Sequence, residues 1–600
     1  MDATLIDAHM PRRFRALDGR VVRITAIAIA LALVMGGVAQ LLTALIGLVT
    51  NLAYYGRLST ELTSPAHNTL GLWAIGVPVI GGLVVGVMAR YGSRAIRGHG
   101  IPEAMEQVLL NDSRIPPIIT WLKPASSAVA IGTGGPFGAE GPIIATGGAL
   151  GSLLGQWLHV TADERKTLLA AGAAAGMAAI FATPVAAVLL AIELLLFERR
   201  ARSLIPVALA AMVGAAMHAV FEGTAPVFPM PALPAVVPAA LVAYVLMGAL
   251  VGVASVAITR LTYGIEDAFE KLPIHWMWWP AIGGVVVGLV GYWVPRTLGV
   301  GYDNIVMVLG GGVGMGAMLL LCLAKLLSWS VALGSGTSGG TLAPLFTIGG
   351  ALGGVLGLWL AHAAPGLGVD PRMAALVCMA AMFAGASRAF LASVVFAFEA
   401  TQQTHGLLPL LGACAAAYLV SGLMMRHTIM TEKIARRGVR VPSDYSADHL
   451  DQVPVRTACI REVVSLRADQ LLGEVRAWMA AGTRDAAHQG YPVVDGAGLL
   501  CGVVTRRQLV DARHTDTLPL SALLQRPPLV VGEDHSLREA ADHMVESDVG
   551  RLVVVDERDP RRVVGIITRG DLLAAHARRL RAAREPGRHF RLRERAERPG

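Results

Sequence analysis

Hydrophobic positions dominate the chain between residues 22 and 425, and charged residues rarely occur in runs there. A membrane-spanning helix needs about 20 consecutive apolar residues, and Val22–Val49 and Leu72–Tyr91 meet that length. The segments that follow are often shorter or broken by glycine, which predicts tilted helices of mixed length, several of them re-entrant. These predicted segments are 102–110, 168–181, 184–197, 205–221, 238–260, 277–294, 313–331, 342–362, 373–384, 389–401 and 406–425.

A glycine-rich run breaks the apolar pattern between Gly132 and Trp157. Its backbone N–H groups lack helical partners, and we expect Pro142 to open a helix directly afterwards. Helix N-termini attract anions, and irregular backbone is tolerated in a membrane where it lines a cavity or is buried in protein. Glu140 is the one carboxylate in the break, and an ionisable group there is a functional candidate. The alternative is a packing turn with a solvated Glu140.

The same construction occurs a second time, which indicates a tandem duplication. Pro344–Trp359 and Pro142–Trp157 are identical at nine of sixteen positions, 202 residues apart. Further downstream, Ala191–Glu193 matches Ala397–Glu399 at a spacing of 206 residues. Paired helix breaks in two halves of a membrane chain point to a transport site between inverted repeats.

The composition agrees with a membrane protein, since 54% of the 600 residues are hydrophobic, 16% are charged and the mean hydropathy is +0.56. The net charge of +8 comes from basic ends, which predicts cytoplasmic termini and gives no reason to expect a nucleic-acid partner. The lack of a targeting signal and the compact linker predict a bacterial inner membrane. The five cysteines show no disulfide or metal spacing. We find no nucleophile–base pair and no phosphate loop, so the sequence predicts no enzyme, no catalytic residue and no metal site.

The pattern changes at His427, where a charged linker begins. From about Val455, short β-branched runs alternate with turns, and this α/β pattern occurs twice. The predicted divisions are a cytosolic N-terminal segment (1–21), membrane repeat 1 (22–221), a linker (222–237), membrane repeat 2 (238–426), a cytosolic linker (427–453), two soluble domains (454–513 and 514–577) and a basic tail (578–600).

Three glycine breaks carry a family resemblance. Gly98–Pro102 reads Gly-His-Gly-Ile-Pro, Gly138–Pro142 reads Gly-Ala-Glu-Gly-Pro, and Gly340–Pro344 reads Gly-Thr-Leu-Ala-Pro. They resemble the anion-site segments of the CLC family of chloride channels and proton-coupled chloride transporters. The repeated strand–turn–Thr pattern at 500–505 and 563–568 resembles a tandem pair of CBS domains. The resemblance implies an all-α polytopic membrane protein with an inverted internal repeat (the CLC fold), followed by cytosolic α/β tandem CBS domains.

The breaks contain no Lys or Arg, and a pore must bind its ion weakly enough to release it. Backbone amides meet that need. Glu140 would occupy an anion position when charged and leave it when protonated, which makes it a gate. The resemblance also implies a homodimer in the lipid bilayer, one pore per subunit, chloride as the bound ion and no required cofactor. It gives the anion-binding positions as Gly98, His99, Gly100, Gly138, Ala139, Thr341, Leu342 and Met430.

Four departures from the family pattern affect the expected mechanism. His99 stands where Ser is usual and either donates to chloride or turns away, while Ala139 replaces an Arg beside the gate. Met430 lies where a pore-lining Tyr is expected. Glu193 matches the first of two adjacent glutamates, and Leu194 falls on the second, the internal proton acceptor of the exchangers. We expect a passive chloride channel; a chloride/proton antiporter with Glu193 as relay, and a fluoride or other anion transporter, are the alternatives.

The CBS resemblance implies a nucleotide site. Thr568 and Asp571 resemble the hydroxyl and carboxylate that hold a ribose, and Thr505 repeats the hydroxyl in the first domain. Gln508 replaces the corresponding Asp there, so at most one site is intact. An adenine nucleotide is the expected ligand, and a ligand-free scaffold that stabilises the dimer is the alternative.

Overall fold

The computed structural model describes residues 19–439 and 449–584, which form two compact units, one ending at 439 and one beginning at 449. Most of the segment at 1–21 and of the tail at 578–600 lies outside the described residues, as does part of the linker at 427–453. By length and composition, seven of the described helices can cross a membrane.

Apart from isolated β-bridges, the regular secondary structure in the described part of the membrane unit is helical, and its helices fall into two series. The first series is α1 (Gly19–Tyr55), α2 (Gly76–Tyr91), α3 (Ile101–Leu110), α4 (Ile119–Gly132), α5 (Glu140–Trp157), α6 (Ala162–Phe181), α7 (Pro184–Ala191) and α8 (Ala201–Glu222). The second is α9 (Pro238–Glu270), α10 (Trp279–Trp293), α11 (Tyr302–Gly310), α12 (Met315–Gly334), α13 (Leu342–Ala363), α14 (Pro371–Ser387), α15 (Phe390–Thr401) and α16 (Leu407–Met424), after which comes α17 (Glu432–Arg436).

The two series repeat the same packing. Helix α5 packs on α6 and α6 on α8, just as α13 packs on α14 and α14 on α16, while α2 packs on α10 across the halves. Glycine permits the close contact between α5 and α6, because a Cβ on Gly147 would lie 2.1 Å from the carbonyl oxygen of Gly172. Small residues of this kind let helix backbones approach each other in a membrane.

Helix α5 begins at Glu140, so the expectation that Pro142 opens this helix is wrong. The amide of Ile143 donates to the carbonyl oxygen of Ala139 at 3.0 Å, which closes a first helical turn that includes Pro142. Pro142 fits the third helical position because the first four N–H groups of a helix have no intrahelical acceptor. Glu140 is therefore the first helical residue rather than part of the irregular break.

Helix α9 continues ten residues beyond the predicted end at residue 260. The apolar run stops there because Glu266, Asp267 and Glu270 are charged. Thr262, Tyr263 and Phe269 nevertheless bury one face of the extension. The helical spacing of these buried positions accounts for the continued helix, and Glu266 lies at the same spacing and is partly buried among them.

The soluble unit contains two sheets with the same topology. The first contains β1 (Leu466–Arg467), β2 (Gly490–Val494) and β3 (Leu500–Thr505), and the second contains β4 (Val530–Gly532), β5 (Arg551–Val555) and β6 (Val563–Thr568). In each sheet the first two strands pair in parallel and the last two pair antiparallel. The described helices of this unit are α18 (His449–Gln452), α19 (Leu472–Ala480), α20 (Arg506–Leu509), α21 (Leu537–Glu546) and α22 (Arg569–Arg584).

The start of the soluble unit packs on the second sheet rather than the first. Pro454 bridges Ser536, and Ile460 exchanges hydrogen bonds of 2.9 Å with Ile566 on β6. Val455 is fully buried in the same cluster as Leu537. Residues 454–460 thus complete the second α/β repeat, although they precede the first in the chain.

Candidate anion site

The three glycine breaks of the sequence meet in space. The amide of Gly98 donates to the carbonyl oxygen of Thr337 at 3.1 Å, and Gly98 bridges Ser338. The amide of Gly340 donates to the carbonyl oxygen of Gly138 at 3.0 Å. Short backbone bridges therefore join the breaks at Gly98 and Gly138 in the first half to the glycine run that ends at Gly340 in the second.

The breaks approach one another so closely that side chains cannot fit between them. A Cβ on Gly141 would lie 2.0 Å from the carbonyl oxygen of His99 and 3.0 Å from the Cα of Gly340. A Cβ on Gly100 would lie 2.5 Å from the carbonyl oxygen of Gly141, and Gly100 has a φ of +94°, which favours glycine. These glycines are required where the backbones of the two halves meet.

The carboxylate of Glu140 lies at this junction and is fully buried. Its Oε1 accepts a hydrogen bond from the hydroxyl of Tyr302 at 3.2 Å. Its Oε2 has no partner of standard hydrogen-bond geometry among the described residues, although the amides of Glu140 and Ala343 face the carboxylate. Because Ala343 belongs to the first turn of α13, the carboxylate occupies a position that helix-terminal amides make favourable for an anion.

Tyr302 is a site residue that the sequence motifs did not reveal. It follows Gly299-Val-Gly301, which the duplication pairs with Gly98-His-Gly100, and its counterpart in the first half is Ile101. The sequence feature that could have pointed to Tyr302 is its phenol, which stands where the first repeat has an aliphatic residue. Its contact with Glu140 could not be read from the sequence, because it joins residues 162 positions apart.

Two buried lysines hold the turns that precede α3 and α11. Lys123 Nζ donates to the carbonyl oxygens of Ile96 and Gly98, both at 2.8 Å. Lys325 Nζ donates to those of Thr297 at 3.0 Å and Gly299 at 3.4 Å. The lysines are 202 residues apart and hydrogen-bond equivalent carbonyl oxygens. Each half therefore has the same turn held by the same lysine.

This finding changes the electrostatic picture of the site. The breaks contain no Lys or Arg, but Lys123 lies against the break at Gly98, and Lys325, at the turn before Tyr302, acts electrostatically on Glu140. Each ammonium is already hydrogen-bonded to backbone carbonyls. Both can therefore favour an anion at a distance without binding it directly.

His99 lies in a charged pocket beside the turn at Gly98. Its ring is buried, and Nδ1 has no hydrogen-bond partner in the part of the chain that the structure describes. Glu103 is close to the ring; it accepts from the amide of Gly100 at 2.7 Å and from Lys433 Nζ at 3.0 Å. Lys123 and Lys433 both act electrostatically on the ring. The structure thus surrounds His99 with one carboxylate and two cations.

Two known protein families match this chain. Residues 81–422 match the voltage gated chloride channel family, and residues 455–515 and 520–578 match CBS domains. The first match covers more than half of the chain. The chain belongs to the CLC family. The prediction of a CLC membrane part with tandem CBS domains is therefore confirmed, and the family consists of anion channels and transporters rather than enzymes.

Curated relatives from bacteria and plants show the same kinship. An H⁺/Cl⁻ exchange transporter, ClcA, of Vibrio cholerae is 31% identical over 57% of this chain and 76% of its own length. A putative ClcB-like chloride channel protein of Ralstonia nicotianae is 28% identical over 60% and 85%. Chloride channel protein CLC-f of Arabidopsis thaliana is 31% identical over 57% and 46%.

Solved structures support the fold. A slow cyanobacterial Cl⁻/H⁺ antiporter aligns with a TM-score of 0.63 at 21% identity, over 70% of this chain and 98% of its own. A eukaryotic CLC transporter aligns with a TM-score of 0.57 at 19% identity, over 92% and 98%. The all-α fold with an inverted repeat and a soluble α/β part is confirmed, and the chain is an integral membrane protein.

Of the remaining positions that the resemblance predicts for the anion, three adjoin the junction in the chain and Met430 lies in another segment. Thr341 caps α13, and its buried hydroxyl has no hydrogen-bond partner among the described residues, while Leu342 is the first helical residue. Ala139 precedes α5 and is buried. Met430 is fully buried in the turn before α17, and it follows Ile429, whose carbonyl oxygen accepts from Tyr263 at 2.8 Å.

Glu193, the candidate proton relay, caps a helix of the other repeat. Its two oxygens accept from the amides of Leu391 at 3.0 Å and Ala392 at 3.1 Å, at the start of α15. Its duplicate, Glu399, accepts from Val185 at 3.1 Å and Ala186 at 2.8 Å, at the start of α7. The pair is reciprocal, with each carboxylate stabilising the N-terminus of the opposite helix.

The proposed nucleotide residues of the CBS pair also act as helix caps. Asp571 Oδ2 accepts from the amide and hydroxyl of Thr568 at 2.8 and 2.7 Å. Gln508 Oε1 accepts from the amide and hydroxyl of Thr505 at 2.9 and 2.8 Å. Replacing Asp with Gln therefore keeps the local structure and removes only the charge.

Proposed function

We propose that this CLC chain conducts chloride passively through a pathway gated by Glu140. The observation that carries the proposal is the buried carboxylate of Glu140, which faces the first turn of α13 where three glycine breaks meet. A chloride ion needs the same surroundings, namely amide hydrogens with little competing water. Protonation would remove the charge that favours the carboxylate there, and chloride could then take its place.

The proposed anion contacts are those given by the family resemblance. In this proposal they contact the anion through backbone groups, together with the ring of His99, and the amide of Ala343 is added to them because it faces the carboxylate of Glu140. The proposed set is Gly98, His99, Gly100, Gly138, Ala139, Thr341, Leu342, Ala343 and Met430.

Passive transport is favoured over exchange by the surroundings of Glu193. Both carboxylate oxygens accept from backbone amides of α15, so a proton on this group would compete with the helix cap. The next residue is Leu194, which is buried and cannot carry a proton. The proton route known from the exchangers therefore lacks its internal acceptor in this chain.

Proton-coupled exchange is the second candidate function. It is supported by the names of relatives such as ClcA of Vibrio cholerae and of the cyanobacterial antiporter. Fluoride transport is a third, since a CLC-type fluoride/proton antiporter aligns with a TM-score of 0.53 at 23% identity. In all three cases Glu140 is the group that meets the anion.

The setting we propose follows the family. The chain forms a homodimer with one pore per subunit in a bacterial inner membrane, with both termini in the cytoplasm. Repeats 22–221 and 238–426 build the pore, and the CBS pair binds an adenine nucleotide through Thr568 and Asp571. No other cofactor is required.

Chloride efflux from proteoliposomes, with a pH electrode outside, tests the proposal. Passive transport predicts chloride efflux that is faster at low pH and draws no stoichiometric protons inward. Proton uptake in a fixed ratio to chloride would show exchange instead. Parallel efflux of fluoride and nitrate separates the third candidate, and absence of any anion efflux would overturn the assignment.

A further inference from the structure

The residue that contacts the gate comes from the opposite repeat. Tyr302 is the first residue of α11, and its hydroxyl donates to Glu140 Oε1 at 3.2 Å. The preceding Gly301 has a φ of +74°, a turn that aims the first residue of α11 back toward α5. Ala139 faces the same phenol oxygen with its backbone amide. The hydroxyl thus donates to the carboxylate of Glu140, and its oxygen faces a backbone amide next to that residue.

Packing holds the phenol ring in this place. The ring of Phe181 lies 5.6 Å from that of Tyr302 in an edge-to-face arrangement, and the ring of Phe228 lies at 5.9 Å. Such contacts favour a defined ring orientation. The hydroxyl therefore meets the carboxylate without a further loss of side-chain freedom.

Other charged groups act on this pair from neighbouring elements. Lys325 on α12 is a cation that acts on Glu140, and Asp303 acts in turn on Lys325. Glu222 at the end of α8 acts on Tyr302. Unlike these charged groups, the hydroxyl of Tyr302 hydrogen-bonds the carboxylate of Glu140 directly.

From this geometry we propose that Tyr302 is the positioning residue that holds the charged carboxylate of Glu140 in the closed pathway. This inference rests on the proposed role of Glu140 as gate. Hydrogen bonds to a charged acceptor are stronger than neutral ones, so the bond favours the charged, inward carboxylate over the protonated one. Opening must break it, and chloride must compete with a carboxylate that the phenol holds in place.

The variant Tyr302→Phe removes the hydroxyl and keeps the packed ring. Efflux at neutral pH should rise on the order of tenfold, which corresponds to about 1.4 kcal/mol. The pH of half-maximal efflux should move upward, because the charged carboxylate loses a stabilising donor. Chloride binding to the purified protein, measured by calorimetry at neutral pH, should tighten, since the competing carboxylate is held less firmly.

Three comparisons separate this effect from a general disturbance. In a Glu140→Gln background, Tyr302→Phe should change neither the pH profile nor chloride binding. The matched control is Tyr244→Phe, which removes a phenol that hydrogen-bonds the amide of Asp370 at 2.9 Å, and it should leave the pH profile unchanged. Tyr302→Leu, with an aliphatic residue as at Ile101, is a second variant that lacks the donor.

The possible results distinguish failure of the role proposed for Tyr302 from failure of the proposed function. If Tyr302→Phe and Tyr302→Leu keep the wild-type pH profile and chloride affinity, the gate-holding role is wrong while the proposed function stands. The same conclusion follows if they lower efflux equally with and without Glu140. If the wild-type protein shows no anion efflux, the proposed function fails and takes this inference with it.

Discussion

The two halves of the membrane unit share the side chains that hydrogen-bond their backbone turns and helix starts. They differ in the residues that stand at those turns and helix starts. Lys123 and Lys325 grip equivalent carbonyls ahead of α3 and α11. Glu193 and Glu399 cap each other's helices across the halves. These pairs are duplicated because a helix start or a strained turn needs the same partner in either half.

The chemistry arises where the halves diverge. Leu342 is the counterpart of Glu140, and Ile101 is the counterpart of Tyr302, at spacings of 202 and 201 residues. The acid of the first half and the phenol of the second meet at 3.2 Å. Duplication thus supplies two sets of helix starts, and divergence supplies the acid that we propose as the gate and the phenol that contacts it.

The largest effect is expected from removing the charge of Glu140, the acid that only the first half carries at this position. Glu140→Gln removes the charge that distinguishes the first half from the second, so efflux should continue but lose its dependence on pH. The matched control is Glu399→Gln, which alters a partly buried carboxylate of the membrane unit and should keep the wild-type pH profile. A Glu140→Gln protein that still responds to pH would contradict the gate.

Next in size is the loss of either buried lysine. Lys123→Met and Lys325→Met each remove the ammonium donor from two carbonyl oxygens, of which that of Gly98 keeps the amide of Gly339 as a donor at 3.4 Å; one buried group left without a donor costs about 1–3 kcal/mol. Both variants should lower the midpoint of thermal unfolding in detergent by similar amounts. Only Lys325→Met should also shift the pH profile of efflux, because Lys325 is the lysine that acts on Glu140. Equal shifts of the pH profile in the two lysine variants would show that Lys325 has no effect on Glu140 that Lys123 lacks.

The smallest effect concerns the reciprocal caps. Glu193→Gln and Glu399→Gln keep an acceptor but lose the charge at a helix start, which costs about 1 kcal/mol or less. Thermal unfolding should report equal, small losses in the two variants, and neither should alter proton movement. A change in proton flux in Glu193→Gln alone would restore the relay role and favour exchange.

Sequence reasoning reached the features that are local in the chain. The glycine breaks, the duplication and the candidate role of Glu140 could all be inferred from short motifs and their spacing. Tyr302 and the two lysines could not, because their partners lie in other segments and depend on how the halves interlock. The same holds for Glu193, whose amide donors belong to α15, 198 and 199 residues further along the chain. A residue that differs between otherwise matched repeats is the signal that would have singled out Tyr302.

The central claim is that the carboxylate of Glu140 occupies a place made for an anion. Crystals of the wild type and of Glu140→Gln, grown in bromide, test it through the anomalous signal of the ion. We predict a bromide peak in the variant within hydrogen-bond reach of the amide of Ala343, where the wild type has carboxylate density. A variant in which that position holds no bromide, while bromide binds elsewhere along the breaks as in the wild type, would contradict the account.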